Sequence, residues 1–96
     1  SMLASGITVL ADRPGVAAVR ISKGKHDEVA VLNPEGRMLD LDAVAGGRVI
    51  TDGRAAYLLL EGDRLRRALV VQGTALKVRA KQPFRSADRR DFEASD

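Results

Sequence analysis

The sequence predicts an all-β fold: a small two-sheet antiparallel β-sandwich of about eight short strands. Turn signals recur about every 8–12 residues, and apolar and polar residues alternate between them as they do in half-buried strands. The segment Ala55–Ala68 also fits a helix, but Gly62-Asp63 interrupts it and β-branched residues follow. A small closed barrel of the SH3 or OB kind is the alternative, because its strands alternate in the same way.

Each candidate strand is an alternating segment bounded by Gly, Pro, Asn or Asp. In chain order the candidates are Ile7–Ala11, Val16–Ile21, Glu28–Leu32, Met38–Ala43, Arg48–Thr51, Ala55–Glu61, Arg64–Val71, Ala75–Lys81 and Phe84–Ser86. The residues expected to face the core in the first half are Ile7, Val9, Ala11, Val16, Ala18, Val29, Val31, Leu39 and Leu41. Two apolar-faced sheets packed together are the simplest way to bury them.

The length of 96 residues predicts one domain. We expect residues 1–6 to be a tag remnant or disordered start, because Ser1 before Met2 resembles a residue left by tag cleavage. Residues 7–86 form the predicted β-domain. Residues 87–96 are a predicted polar C-terminal tail that Phe92 anchors to the domain.

The composition excludes several classes of site. Cysteine is absent, so the chain has no disulfide, no thiol nucleophile and no cysteine-based zinc site. No apolar run approaches the roughly 20 residues that a membrane helix needs. The net charge of +3 permits an anionic partner without requiring one.

The segment Gly62–Lys81 is rich in basic residues. Pairing its predicted strands through hairpins predicts that these residues form a basic surface. If Gly62-Asp63 and Gln72-Gly73 are both two-residue hairpin loops, Arg66 faces Arg79 across the second hairpin. One side of the resulting three-stranded meander then carries the core, including Leu69 and Ala80, with Arg67 and Thr74 as exceptions. The predicted basic face on its other side comprises Tyr57, Arg64, Arg66, Lys77, Arg79 and Lys81.

The sequence lacks a recognisable catalytic motif, which favours a protein that is not an enzyme. The only histidine, His26, lies in a polar turn-like segment and is expected to be a solvated loop residue. Asp40 and Asp42 share one face of a strand, but two carboxylates do not make a Ca²⁺ site, so we expect an outward acidic stripe. No phosphate loop or nucleophile motif is present. No metal ion or cofactor is therefore predicted.

Three turn motifs give the chain a resemblance to a known group: Asn33-Pro34, Thr51-Asp52-Gly53 and Gly73-Thr74-Ala75-Leu76. Residues 27–78 resemble the small C-terminal β-sandwich domains of large bacterial carbohydrate-active enzymes, the heparinase-like polysaccharide lyases. The resemblance implies an extracytoplasmic accessory domain that packs on a catalytic body or binds an acidic polysaccharide. No catalytic residue transfers from that group to this chain.

The leading hypothesis is therefore a non-catalytic accessory β-module of a larger surface or secreted protein. It would pack on a neighbouring domain or bind an acidic polysaccharide through the predicted basic face, where arginine offers paired donors to oxyanions. One alternative is a self-assembling or adaptor domain whose strand edges pair with another chain. A homo-oligomer is one form that this pairing could take. The other is a nucleic-acid-binding small barrel, disfavoured because few rings are available for stacking.

Overall fold

Eight antiparallel strands make up the fold. The computed structural model describes residues 5–44 and 47–96, so residues 1–4 of the start expected at residues 1–6 lie outside the described residues, whereas Ser5 and Gly6 belong to the first strand. The strands are β1 (Ser5–Arg13), β2 (Val16–Lys23), β3 (His26–Leu32), β4 (Leu39–Val44), β5 (Gly47–Thr51), β6 (Ala55–Glu61), β7 (Arg64–Val78) and β8 (Lys81–Ala94). The all-β prediction is confirmed, and six of these strands contain or closely match the first six candidates.

The strands form one sheet in the order β1-β2-β3-β6-β7-β5-β4, and β8 pairs with β7 off this path. The two outermost strands of that order, β1 and β4, approach each other. The result is a nearly closed, barrel-like single sheet rather than a clear two-sheet sandwich.

The long strand β7 explains why the sheet is continuous. Its first part pairs with β6 and its last part with β5, while β8 pairs with it from Val78 back to Ala68. The predicted hairpin at Gln72-Gly73 is therefore wrong. Gln72 does adopt a positive φ of 51°, but this local twist bends β7 within the sheet and does not reverse it.

A β-bulge near the start of β7 sets which side chains face the core. Leu60 pairs with Leu65, as predicted, but Leu59 pairs with Arg67, so Arg66 is an extra residue in β7. The extra residue shifts the alternation. Ala68 and Val70 are buried, whereas Leu69, predicted to be in the core, lies on the outer side. The same bulge places Arg67 outside, which removes the predicted charge from the core.

The core lies on the concave side of the folded sheet. Its residues from the first half include Val29, Val31, Leu39 and Leu41, as predicted. Ala11, Val16 and Ala18 are also buried, again as predicted. The prediction fails for Ile7 and Val9, which are 73% and 63% exposed. The register of β1 shifts between Val9 and Ala11, so these two side chains and Ala11 lie on opposite sides of the sheet.

The C-terminal segment, predicted to be a polar tail over residues 87–96, is a strand for most of its length. β8 runs to Ala94 and pairs with β7. Phe84 and Phe92 stack with their ring centroids 3.5 Å apart, and both pack against the core. Phe92 thus anchors this segment, as expected, and Phe84 shares that role.

Candidate functional site

The predicted basic face does not form as one surface. The prediction pairs Arg66 with Arg79 across a hairpin, but β7 continues through that position and instead turns into β8 at Arg79 and Ala80. Ala80, predicted to be in the core, is consequently exposed. The residues of the predicted face are separated by this change in topology.

Two of those arginines already have partners. Arg66 forms an ion pair with Glu61 at 3.2 Å. Arg79 has a positive φ of 57°, and its guanidinium donates to the carbonyl oxygens of Gly62 (2.8 Å) and Asp63 (2.9 Å). The guanidinium groups of Arg66 and Arg79 therefore bind acceptors within the chain itself.

The other three basic residues of the predicted basic face are exposed to solvent. Arg64, Lys77 and Lys81 are exposed and have no ion pair or side-chain hydrogen bond among the residues that the structure describes. Lys77 pairs with Ile50 of β5, on a different part of the sheet from Arg64, the first residue of β7. Lys81 and Asp63 line the same small cavity, whose volume is about 180 Å³. These cations are therefore available to an anion but are dispersed.

The structure also brings together an extended apolar surface. Directly paired residues of an antiparallel sheet share a face, and two cross-strand rows on the outer side of β1, β2, β3, β6 and β7 are almost wholly apolar. We call this surface the apolar outer face; it comprises Val9, Ala17, Val19, Ala30, Leu32, Ala55, Tyr57, Leu69 and Val71.

A groove runs across the apolar outer face. Its volume is about 610 Å³, and eight of the nine residues line it. Small side chains form its floor: Ala17, Ala30 and Ala55 come from three neighbouring strands. Leu32 and Val71 at its edge are 62% and 44% exposed. Large contiguous apolar surfaces are uncommon on isolated domains and mark interaction sites.

Tyr57 lies within the groove, and its hydroxyl connects the apolar surface to a polar rim. The hydroxyl donates a short hydrogen bond to Glu28. This hydrogen bond raises the pKa of Tyr57, and burial and the negative charge of Glu28 add to the effect. Tyr57 therefore stays neutral at physiological pH and presents its ring to the groove with its one polar atom satisfied.

The rest of the polar rim is a set of ion pairs. Glu28 also lies 3.8 Å from Lys23. Glu61 accepts from His26 Nε2 at 2.9 Å and pairs with Arg66. His26 is exposed but begins β3, so it is a strand residue and not the predicted loop residue. The rim thus carries both signs of charge, which is typical of the periphery of a protein interface.

A second polar cluster lies where the sheet bends. We call it the polar junction; it comprises Asn33, Thr51, Asp52, Thr74 and Arg89. Asn33 and Thr51 are fully buried. The Asn33 amide donates to the carbonyls of Arg37 (2.7 Å) and Gly53 (3.0 Å), and the Thr51 hydroxyl donates to that of Ala75 (2.9 Å).

Arg89 connects three separate chain segments at the polar junction. Its Nη1 donates to the carbonyls of Asp52 (2.9 Å) and Gln72 (2.8 Å), and its Nη2 donates to that of Gly36 (2.7 Å). The backbones also approach closely here, because a Cβ added to Gly73 would lie only 3.1 Å from the Cα of Gly53. The junction therefore fixes the bend of the sheet.

Asp52 is the charged acceptor of the polar junction. It accepts from the Thr74 hydroxyl (2.5 Å), the Thr74 amide (2.8 Å) and the Ala75 amide (3.2 Å). Burial alone would raise the pKa of Asp52, but these three hydrogen bonds and the charge of Arg89 outweigh it and lower that pKa. The carboxylate is saturated with donors from its own chain, which gives it a structural role.

The three turn motifs that carry the resemblance meet at this junction. Asn33, the Thr51-Asp52-Gly53 turn and Thr74 all belong to it. Among the described residues, no three side chains of the metal-binding types come together. Asp40 and Asp42 are exposed, as the outward stripe requires, and Asp40 pairs with Arg48 at 3.3 Å.

Comparison of the chain with protein-family models, curated proteins and solved structures finds no match. Within the described ranges, no helix has the length and hydropathy to cross a bilayer.

The sequence did contain a signal for the apolar outer face. β6 reads AAYLLLE and the middle of β7 reads ALVV, so both strands are apolar on consecutive positions. Such runs are typical of strands that are covered on both faces. Within the part of the chain that the structure describes, the core covers only one of the two faces of these strands.

Proposed function

We propose that this chain is a non-catalytic accessory β-module that packs on a neighbouring protein domain through the apolar outer face. The observation that carries the proposal is the continuity of that surface on the solvent side of the sheet: one of its rows crosses five strands, and the other crosses four and ends beside Asp12 of β1. Burial of apolar surface is the dominant favourable term in most protein–protein association. A partner of matching apolar chemistry would therefore bind here more strongly than elsewhere on the chain.

The shape of the surface favours a folded protein domain as the partner. The alanines at positions 17, 30 and 55 leave a shallow floor rather than a deep pocket, and Tyr57 supplies the aromatic ring common at interface centres. The groove walls offer almost no polar atoms to orient a sugar or a nucleotide. The ion pairs at the rim would give the partner its orientation.

The resemblance to C-terminal domains of polysaccharide lyases supports placing the module in a larger surface or secreted protein. In that arrangement the neighbour is the body of the same protein. The module would then contribute packing and position, and the chemistry would belong to the neighbour.

Site-specific photo-cross-linking tests the proposal. A photoreactive amino acid replaces Ala30, in the apolar outer face, within the full-length product of the gene that encodes this chain. Ala87, an exposed alanine of β8, provides the matched control position. We expect position 30 to cross-link to a residue of another domain, in the same chain or in a separate protein, and position 87 to form no such cross-link. Equal cross-linking from the two positions, or none from position 30, would reject the proposal.

Binding of an acidic polysaccharide is a second candidate, and the free cations favour it. Arg64 and Lys81 have no partner in the described chain and flank the contact between Arg79 and the Gly62-Asp63 turn. The test is a low-salt NMR titration with heparin. We expect amide shifts around Arg64 and Lys81 that are reduced in a R64Q/K81Q variant but not in a R85Q/R90Q control. Unchanged spectra would remove this candidate.

A further inference from the structure

The outer edge of β1 is the second unpartnered feature of the sheet. Among the described residues β1 pairs only with β2; β4 approaches β1, but no strand pairs with its other edge. Natural sheets protect such edges with proline, with charge, with a β-bulge or with an extra covering segment. The bulge of β1 lies between Val9 and Ala11, and the residues from Ser5 to Val9 pair regularly with β2. The stretch Ser5–Ala11 contains neither proline nor any ionisable side chain, so this edge lacks the first two protections.

From this edge we infer that β1 pairs antiparallel with β1 of a second copy of the chain, about a two-fold axis at Thr8. Directly opposed residues share a face, so only registers that match outward residues with outward residues are allowed. Centring on Thr8 places Ile7 of each copy opposite Val9 of the other. Among the described residues these are the two most exposed large apolar side chains, at 73% and 63%.

The pairing is self-complementary in charge and in shape. Residues Gly6–Leu10 pair with the same residues of the second copy, so no charged side chains oppose one another. Thr8 meets Thr8 of the second copy across the axis, and threonine pairs are favourable at directly opposed positions. Each copy uses the same patch, as a two-fold interface requires.

The product is a sheet that continues through both copies. Because Val9 belongs to the apolar outer face and Ile7 extends it, the two apolar faces join across the axis. This pairing uses the backbone edge of β1, so it goes beyond the proposed function and does not depend on a partner for the apolar outer face.

A charge-swap experiment at Thr8 tests the inferred register. Thr8 is exposed, so T8K and T8E should both fold, and circular dichroism confirms this for each sample. In either variant alone, like charges oppose each other across the axis, and we expect the dimer dissociation constant to rise about fivefold or more. An equimolar mixture opposes a lysine to a glutamate and should recover dimers in sedimentation equilibrium.

Matched controls place the same charges on another strand. Q82K and Q82E alter an exposed residue of β8 and should leave the dissociation constant of the dimer unchanged. A wild-type chain that stays monomeric at every concentration overturns the inference. So does a dimer that T8K and T8E leave intact, or one that the mixture fails to restore. None of these results bears on cross-linking from position 30.

Discussion

Arg79 and Asp63 flank the fifteen-residue strand β7, yet the guanidinium of Arg79 donates to the carbonyl oxygen of Asp63 at 2.9 Å. A fully extended strand of that length would separate its ends by about 50 Å. The contact is possible because β7 bends near Gln72, where φ is positive. The two ends of β7 therefore close the open end of the folded sheet.

Replacing Arg79 should weaken this closure. R79M keeps the apolar stem but removes both hydrogen bonds to carbonyl oxygens, and we expect it to lower the free energy of unfolding by about 1 kcal/mol, since the contact is partly solvated. R85M, at an exposed arginine with no side-chain partner in the described chain, serves as the control. Urea denaturation measures both. Equal stability of the two variants would contradict the closure.

The bend at Gln72 predicts an unusual order of substitutions. A positive φ is free for glycine but costs other residues roughly 1–2 kcal/mol, and β-branched residues tolerate it least. Q72V should therefore be less stable than Q72G by about that amount, although valine is the better strand former. Thermal denaturation gives the order. If Q72V were the more stable, β7 would not bend at this residue.

Arg89 should resist even a conservative change. R89K keeps the charge but cannot reach three carbonyl oxygens in separate segments, because the lysine ammonium lacks the guanidinium fork. We expect a loss of about 2 kcal/mol of stability. R90K changes the adjacent residue, which is exposed and has no side-chain partner among the described residues, and should cost almost nothing. Similar losses in both variants would show that the polar junction does not depend on Arg89.

The lowered pKa of Asp52 predicts a pH-dependent contribution to stability. Because the pKa is lower in the folded chain than in the unfolded chain, where it is about 3.9, the carboxylate stabilises the fold above that value. The contribution is lost as the pH falls through the folded pKa. The stability difference between wild type and D52N should thus be constant at neutral pH and shrink below about pH 4. Urea denaturation across that range measures it, and a difference independent of pH would refute the assignment.

Local pattern was sufficient to predict most strands and part of the core. Alternation of Val29 with Val31 and of Leu39 with Leu41 predicted both their strands and their burial, because a period of two fixes which residues share a face. The Gly62-Asp63 hairpin also followed from its residues. These features depend on neighbours in sequence.

The features that sequence could not predict depend on distant contacts. A Gln-Gly pair with a positive φ suits both a hairpin and a bend, and the pairing of β8 with β7 decides between them. The bulge at Arg66 moved Leu69 outward without any local signal. Alternation placed Ile7 and Val9 on one face but did not say which face meets the core. The predicted basic face depended on a hairpin at Gln72-Gly73, so it does not form where β7 continues through these residues.

Cysteine reactivity shows whether a protein domain covers the apolar outer face, as we propose. The chain contains no cysteine, so A30C and A87C each introduce one thiol in it. Peptide mapping after maleimide labelling gives the reaction rate of each, in the isolated chain and in the full-length gene product. We predict that A30C reacts readily in the isolated chain and slowly in the full-length protein, while A87C reacts at the same rate in both. Equal rates for A30C in the two proteins would contradict the claim.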